Sequence, residues 1–318
     1  MFTNARLDQV FSEAKRIEFD DNSKYVFFSD VHRGDNSLSD EFGRNKHIFY
    51  HALDYYDQDG FTYVEVGDGD EMWETPKYNY IHNSHRFVFE KLKNFHDEGR
   101  MIMIFGNHNM FMKNKGFVEK NMHRVLDDYS DQYEDLFMGM EVYESVVLFH
   151  RQTSQEVFVV HGHQGDFLND QAWRISLFLV RYFWRFMHII GVKYAASPAK
   201  NRKKRHRIEK NYSNWIRKHG IMLLCGHTHR AKFPGKNEEP YFNAGCCMHP
   251  RGITCIEMAY GEIALVSWHM HTRKDGMLYI KRTILKGPEL LTSFISKECP
   301  VFQDRESEDR EEDQCECE

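Results

Sequence analysis

Five short segments constrain this chain more than anything else in it: Asp30-Val31-His32, Gly67-Asp68, Gly106-Asn107-His108, His161-Gly162-His163 and Gly226-His227-Thr228-His229. Each follows an apolar, strand-like run: Tyr25 to Phe28, Phe61 to Val66, Met101 to Phe105, Val157 to Val160 and Ile221 to Leu224. A strand that ends in such a segment delivers its side chains to the carboxyl edge of a sheet, where open α/β sheets build their sites. One rim can therefore collect all five. The donor types, Asp oxygens and neutral imidazoles, suit divalent Mn, Fe or Zn, and nothing calls for thiolate. Singly, an Asp-x-His or a Gly-Asp is more often a turn than a ligand. Five in order, each after an apolar run, make satisfied core histidines and solvated aspartates the weaker reading.

The sequence between the segments alternates in the same sense. Helical spacing over 5–19 (Leu7, Val10, Phe11, Ala14, Ile17) precedes the first strand. Helices over 42–57 and 80–97 separate the next strands, which is α/β order. A helix is expected near 117–128, and the runs Ser145 to Phe149 and Val157 to Val160 read as a hairpin that delivers His161. Ile221 to Leu224, Ile253 to Met258, Ile263 to Trp268 and Met277 to Ile284 then read as a second, largely antiparallel half.

The stretch 167–219 breaks this rhythm and reads as a helical insertion, aromatic at its start and basic afterwards. Between Ile175 and Ile190 its first helix carries ten aliphatic, Phe or Trp residues. On insertion scales they contribute about −5 kcal/mol, and Arg181 and Arg185 near the centre cancel this at about +2.5 to +3.5 each, so a membrane span is disfavoured. Arg174, Arg181 and Arg185 fall on one face. Two readings stay open: a core-packed helix with a solvated arginine stripe, or a cap that lies against lipid or an acyl chain while its arginines meet phosphate. The run from Arg202 to Arg207 is likewise either a solvated loop or a patch for acidic headgroups.

Residues 1–302 are expected to form a single domain around that insertion, and 303–318, acidic and poor in apolar residues, a disordered tail. A net charge of −6 over 318 residues argues against a dedicated nucleic-acid binder. Seven cysteines without an even framework fit reduced thiols in a cytosol. The amino terminus lacks the pattern of a signal peptide, so a cytoplasmic setting is expected.

Two divalent ions about 3.5–4 Å apart can hold a hydroxide, aim it in line at phosphorus and neutralise the charge that develops. Such a pair needs one bridging carboxylate. Asp68 is the candidate, because the Gly67-Asp68 turn would leave both of its oxygens free at the sheet edge. Asp30 and His32, two apart, can serve one ion together, and His227 and His229 repeat that spacing. Asn107 supplies a neutral oxygen. His108, immediately after it, should point away from the ligands and toward substrate, as a stabiliser of the transition state or a proton donor to the leaving oxygen.

These residues resemble the calcineurin-like metallophosphoesterase superfamily, whose pattern is Asp-x-His, Gly-Asp-x-x, Gly-Asn-His, a later His, and Gly-His-x-His, over roughly residues 24–270. The resemblance implies a four-layer α/β/β/α sandwich with a helical cap insertion. It implies one ion on Asp30, His32, Asp68 and His229, a second on Asp68, Asn107, His161 and His227, and His108 as catalytic histidine. Two divalent metals follow, with Mn first and Fe or Zn as alternatives. Within the superfamily, Gly67-Asp68-Gly69-Asp70-Glu71-Met72-Trp73 and Gly226-His227-Thr228-His229-Arg230 are similar to motifs of the UDP-2,3-diacylglucosamine pyrophosphohydrolases, whose lipid-binding cap falls where 167–219 lies. The chain departs from that branch at Gly106-Asn107-His108-Asn109, which follows the general form, and at His161 to Asp166, which stands in place of a shorter His-Gly-Asp. His163 and Asp166 are then supporting or substrate contacts, or polar loop residues. Trp73 either stacks on a base or sugar or packs internally.

The leading expectation is hydrolysis of a phosphate ester or pyrophosphate bond in a phosphorylated small-molecule, nucleotide-linked or lipid-linked substrate, with peripheral membrane contact through 174–207. The alternatives are a general phosphomonoesterase or phosphodiesterase acting on protein or nucleotide with a purely structural cap, and, more remotely, a non-catalytic binding scaffold. A nuclease is disfavoured by the acidic total.

Overall fold

The apolar runs pair as parallel strands, which are buried on both faces and so read as continuous hydrophobic stretches. In the computed structural model, which describes residues 2–166, 169–184 and 202–294, β2 (Lys24–Phe28), β3 (Thr62–Val66) and β4 (Met101–Ile104) lie side by side, with Phe27 opposite Val64 and Val64 opposite Ile102. The helical spacings between them give α2 (Lys46–Gln58), α3 (Tyr78–Ser84) and α4 (Arg86–Asp97). Beyond β2 the same sheet continues antiparallel through β12 (Ile253–Ala259), β13 (Glu262–Thr272) and β14 (Leu278–Leu290), and beyond β4 it ends at β7 (Val142–Tyr143), giving seven strands. A second sheet holds β1 (Lys15–Phe19), β8 (Ser145–His150), β9 (Glu156–Val160), β10 (Met222–Cys225) and β11 (Tyr241–Asn243) in that order.

Alternation along the strands decides what packs where. Val26, Phe28 and Tyr63 point to one side and meet Phe49 and Leu53 of α2 and Phe89, Leu92 and Phe95 of α4. Phe27, Val64, Val66 and Ile104 point to the other and meet Val146, Leu148, Val157, Val159 and Leu224 of the second sheet. The outer face of that sheet, Val147, Phe158, Val160 and Leu223, is covered by Leu7 and Val10 of α1 (Phe2–Ser12) and by Ile208, Tyr212, Trp215 and Ile216 of α7 (Arg202–His219). The molecule is thus a mixed α/β protein with several sheets.

Four expectations change. The helix over 5–19 stops at Ser12, because Lys15 to Phe19 pairs in parallel with Val146 to His150. The helix over 80–97 is broken at His85, whose Nε2 is held 2.8 Å from Asp40 Oδ2 in the core at a backbone φ of −129°. The helix near 117–128 is α5 (Lys115–Met122), followed by a small hairpin of β5 (Arg124–Asp127) and β6 (Gln132–Asp135). The strands after 220 do not form a separate antiparallel half: β10 joins the second sheet between β9 and β11, parallel to both, and β12 to β14 extend the first. Of the insertion, α6 (Trp173–Leu179), a π-helical turn (Val180–Trp184) and α7 are seen. Arg185, the centre of the insertion and the segment 303–318 lie outside the described residues. Among the described residues no helix is long and apolar enough to cross a membrane.

Candidate metal centre

All five motifs leave the carboxyl ends of parallel strands, three from β2, β3 and β4 and two from β9 and β10, and converge where the two sheets meet. The chain must turn sharply as it leaves each strand. Asp30, His32, Asp68, His227 and His229 all have positive φ, between 51° and 62°, a region that costs a side-chain-bearing residue about 1–3 kcal/mol. Backbone bonds lock the turns together: Asp30 N–H donates to Gly67 O at 3.1 Å, His32 N–H to Asp68 O at 2.9 Å and Arg33 N–H to Gly69 O at 2.9 Å. The glycine before His227 is dictated by close approach, since a Cβ at Gly226 would stand 1.7 Å from Ser29 Oγ and 2.4 Å from Asp30 Oδ2.

Two groups of donors result, Asp30 with His32 and His229, and Asp68 with His161 and His227. His229 Nε2 lies 2.9 Å and His32 Nε2 3.8 Å from Asp30 Oδ1. Asp68 Oδ2 stands between the groups, 3.8 Å from His32 Nε2 and 3.1 Å from His161 Nε2. Donors about 2.1 Å from a shared ion stand about 3–4 Å apart, so these spacings suit metal ligands. Asp30 Oδ1, His32 Nε2, Asn107 Oδ1, His161 Nε2 and His227 Nε2 are all buried without a hydrogen bond. An unpaired buried polar atom costs about 1–3 kcal/mol, so five in one place fit a site built for cations. Every predicted ligand is buried except His229, whose side chain, 18% exposed, marks the open side with His108 at 21%.

The atoms behind the ligands fix which lone pair faces inward. Val66 O can only accept, so the 2.8 Å contact requires a proton of His161 on Nδ1, and in the neutral imidazole Nε2 carries the lone pair that faces inward. Ser29 Oγ–H and His227 N–H donate to Asp30 Oδ2 at 2.6 and 2.8 Å, leaving Oδ1. His108 N–H donates to Asp68 Oδ1 at 2.7 Å. That corrects the expectation that both Asp68 oxygens are free: Oδ1 is engaged by backbone, and Oδ2 is the oxygen turned to the two donor groups. Burial opposes ionisation of Asp68, but His161, His108 and His32 outweigh it and hold its carboxyl well below the usual range. Burial likewise acts against charge on His161, and Asp68 and Asp30 overcome it, pushing this imidazole up to about 8 in the metal-free protein.

Sequence reasoning passed over Glu71. Its carboxylate accepts from Nδ1 of His32 at 2.7 Å and from Nδ1 of His108 at 2.8 Å. Burial is outweighed by those two imidazoles, and its pKa is held well below the usual carboxylate range. The signal was its place in the segment from Gly67 to Trp73, read for resemblance and not for geometry. His108 does not simply point away from the ligands. Its ring packs edge-on to His32 at 4.6 Å and is stacked by Trp73 at 4.2 Å, so Trp73, 2% exposed, is a packed residue. Arg33 is fully buried between Asp70 and Glu65, with Nε 2.8 Å from Asp70 Oδ1 and Nη1 2.8 Å from Glu65 Oε2, and pins the turn beneath the site.

The insertion reaches this framework at two points. Arg181 donates to Trp73 O at 3.0 Å and to Met72 O at 2.8 Å, so it is engaged with backbone and is not part of a free arginine stripe. Lys204 pairs with Asp166, whose Oδ2 lies 3.8 Å from His227 Nε2. His163 is fully buried beside His161, with neither ring nitrogen hydrogen-bonded; Glu144 and Asp170 near it are both held by Arg6.

No family model matches the chain, and no curated protein matches it. Among solved structures it is similar to a methionine-for-isoleucine mutant of a cold-active protein tyrosine phosphatase (12% identity, 86% of this chain and 83% of that one, TM-score 0.40). It is also similar to the cold-active protein-tyrosine phosphatase of a psychrophilic Shewanella species (11%, 86% and 83%, TM-score 0.37). A third is a Staphylococcus aureus protein provisionally assigned as a 5'-nucleotidase (13%, 87% and 56%, TM-score 0.35). Likeness at this level carries no argument, and the functional reading rests on the side chains.

Proposed function

We propose that this chain is a two-metal phosphoesterase of the calcineurin-like kind, with a four-layer α/β/β/α frame, a helical cap and a single domain over 1–302. The observation that carries the reading is the pair of donor groups with Asp68 Oδ2 between them, together with five buried ligand atoms that have no hydrogen bond. The frame is supported by the three separate hydrophobic clusters, helices on sheet, sheet on sheet, and sheet on helices. Asp30, His32, Asp68 and His229 would hold one ion and Asp68, Asn107, His161 and His227 the other. Mn is the first choice, with Fe or Zn as alternatives, because the donors are oxygen and imidazole. Two such ions supply an activated water at neutral pH and neutralise charge on the phosphoryl group.

The chain's own residues do the rest. Asn107 adds an oxygen without charge, so an anionic substrate meets less repulsion. His108, with Nδ1 committed to Glu71 and one edge exposed, keeps Nε2 to stabilise the transition state or to protonate the leaving oxygen. Trp73 and Glu71 fix that ring.

The reaction is hydrolysis of a phosphate ester or pyrophosphate, and the finer reading is a nucleotide- or lipid-linked substrate. Support comes from the cap: Ile175, Phe178, Leu179 and Tyr182, at i, i+3, i+4 and i+7, are exposed along one helical face. Next to it a cavity of about 820 Å³, lined by Met110, Phe111, Phe117, Trp173 and Leu177, also includes Arg181, which joins the Trp73 loop. Peripheral membrane contact through 174–207 belongs to the same reading, as does an intracellular setting, for which the buried free thiols of Cys225, Cys246, Cys247 and Cys255 speak.

The test is product analysis by mass spectrometry after reconstitution with Mn²⁺, with a chelated control. The substrates are a lipid-linked UDP-sugar, a water-soluble UDP-sugar, a phosphodiester and a phosphomonoester. Metal-dependent release of UMP from the lipid-linked compound alone supports the finer reading. Turnover of simple esters alone keeps the chemistry and removes the lipid substrate. No turnover, with no bound metal, refutes the proposal.

A further inference from the structure

Helix α7 is amphipathic in an uneven way. Ile208, Tyr212, Trp215 and Ile216 bury one side against the second sheet. Arg202, Lys203, His206, Arg207 and Lys210 lie exposed on another, at spacings of one, four, five and eight residues that keep them on one face. Cations elsewhere on the helix are engaged: Lys204 with Asp166, Arg217 with Glu239, Lys218 and His219 with Asp8. Those five have no ion-pair partner among the described residues, and Glu209, half-buried, is the acidic residue next to them. The positive end of the helix dipole lies at the same end and adds to their field.

The opposite charge is in the same chain. Residues 303–318 hold nine carboxylates against two arginines, a net of −7, so the remainder of a chain totalling −6 carries a net of +1. The described chain leaves the fold beside α7. Phe294 packs on Phe233 and Phe242, and a cavity lined by Ile216, Arg217, Gly220, Glu239, Ser293 and Phe294 joins that exit to the last turn of the helix. From the exit to Asp304 is ten residues, a reach of up to about 33–36 Å. The 18-residue helix is about 27 Å long. The acidic stretch can therefore lie along the whole cationic face.

We propose that this face of α7 is a docking surface for acidic polypeptide and that its occupant is the chain's own segment 303–318. Tethering keeps the segment at an effective concentration on the order of mM, so many weak, solvent-exposed contacts suffice. Such contacts are screened by salt, with a Debye length of about 10 Å at 0.1 M and about 3 Å at 1 M. Because the face is also where anionic headgroups would bind, the segment covers it in competition with them. The inference does not depend on the chemistry assigned to the metal centre.

The test uses the full chain at low salt with zero-length carbodiimide coupling, read by mass spectrometry on isotope-mixed protein. The expected result is coupling of Lys203 and Lys210 to carboxylates of 304–318 within one chain. It should fall at least about tenfold in 1 M salt and on Arg202→Glu with Arg207→Glu, which leaves both lysines in place. A full-length variant with the nine tail carboxylates changed to amides should also float more strongly with phosphatidylglycerol vesicles. Coupling only between chains, coupling that ignores the charge reversal, or vesicle binding unchanged by the amides would each overturn the proposal.

Discussion

Glu71→Gln tests the inner geometry more sharply than removal of a ligand, because it changes one atom and almost no volume. The carboxylate accepts two Nδ1–H donors, from His32 at 2.7 Å and from His108 at 2.8 Å. A glutamine offers one acceptor and one donor, so one imidazole must lose its bond or move its proton to Nε2. On His32 that proton would sit on the nitrogen that faces Asp30 and Asp68, and the residue would cease to be a ligand. On His108 it would change the group left for substrate. A hydrogen bond to a charged group contributes about 1.5–3 kcal/mol, and loss of such support behind a metal ligand typically lowers affinity or activity about 10–100-fold. The expected outcome is a drop of that size in Mn²⁺ affinity at the His32 site, in kcat, or in both, while the metal-free protein still unfolds cooperatively, destabilised by no more than about 1.5–3 kcal/mol. A chelator-competition titration and initial rates on the same samples measure it. Two ions bound within twofold of parental affinity, with kcat also within twofold, would refute the assigned role of Glu71.

Asp68→Ala should lose bound metal and turnover together, since Oδ2 faces both donor groups, whereas His108→Ala should keep the metal and lose about 10²–10⁴ in rate; metal analysis beside kinetics separates them. Arg33→Met leaves Glu65 and Asp70 facing each other in the core without their cation and should cost about 3–5 kcal/mol in urea unfolding. His161, raised to about 8 in the metal-free protein, must surrender its proton to an ion, so Mn²⁺ affinity should rise with pH up to about 8 and binding should release protons, detectable by calorimetry in buffers of different ionisation enthalpy. For the metal-free protein the sign is opposite: that imidazole's contribution to stability is full below its unfolded pKa of about 6.5 and is lost as pH rises through about 8. Chelation should leave far-UV circular dichroism and cooperative unfolding in place, because backbone bonds and the Arg33 pairs hold the turns without metal.

The strands that carry the site were legible because each is a short apolar run buried on both faces and ending in polar residues. Local periodicity did not show which sheet a strand joins: Met222 to Cys225 has the same pattern whether it lies in an antiparallel half or, as found, parallel between β9 and β11. Residues 15–19 read as helix since Ile17 continues the spacing of Val10 and Ala14, and pairing with Val146 to His150, more than 125 positions away, overrides it. At the site, the candidate ligands were visible as motifs, whereas Glu71 and Arg33 act through contacts that only the fold creates.

The same distinction applies to the backbone of the ligands. No property of Asp or His in the sequence announces a positive φ, yet five of the seven candidate ligands adopt one. At about 1–3 kcal/mol each this strain would relax if the turns were free. They are not. Ser29 and His227 hold Asp30, His108 N–H holds Asp68, Cys247 N–H donates to Asp30 O at 3.1 Å, and the Arg33 pairs clamp the two turns from below. The inward-facing candidate ligands are therefore held in position by the protein itself, which favours ion binding without refolding. Arg181 and Lys204 attach the insertion to this same strained ring, through the carbonyls behind Trp73 and through Asp166 beside His227. Arg181 and Lys204 thus tie the described parts of the insertion to the backbone behind Trp73 and to a neighbour of the candidate ligand His227.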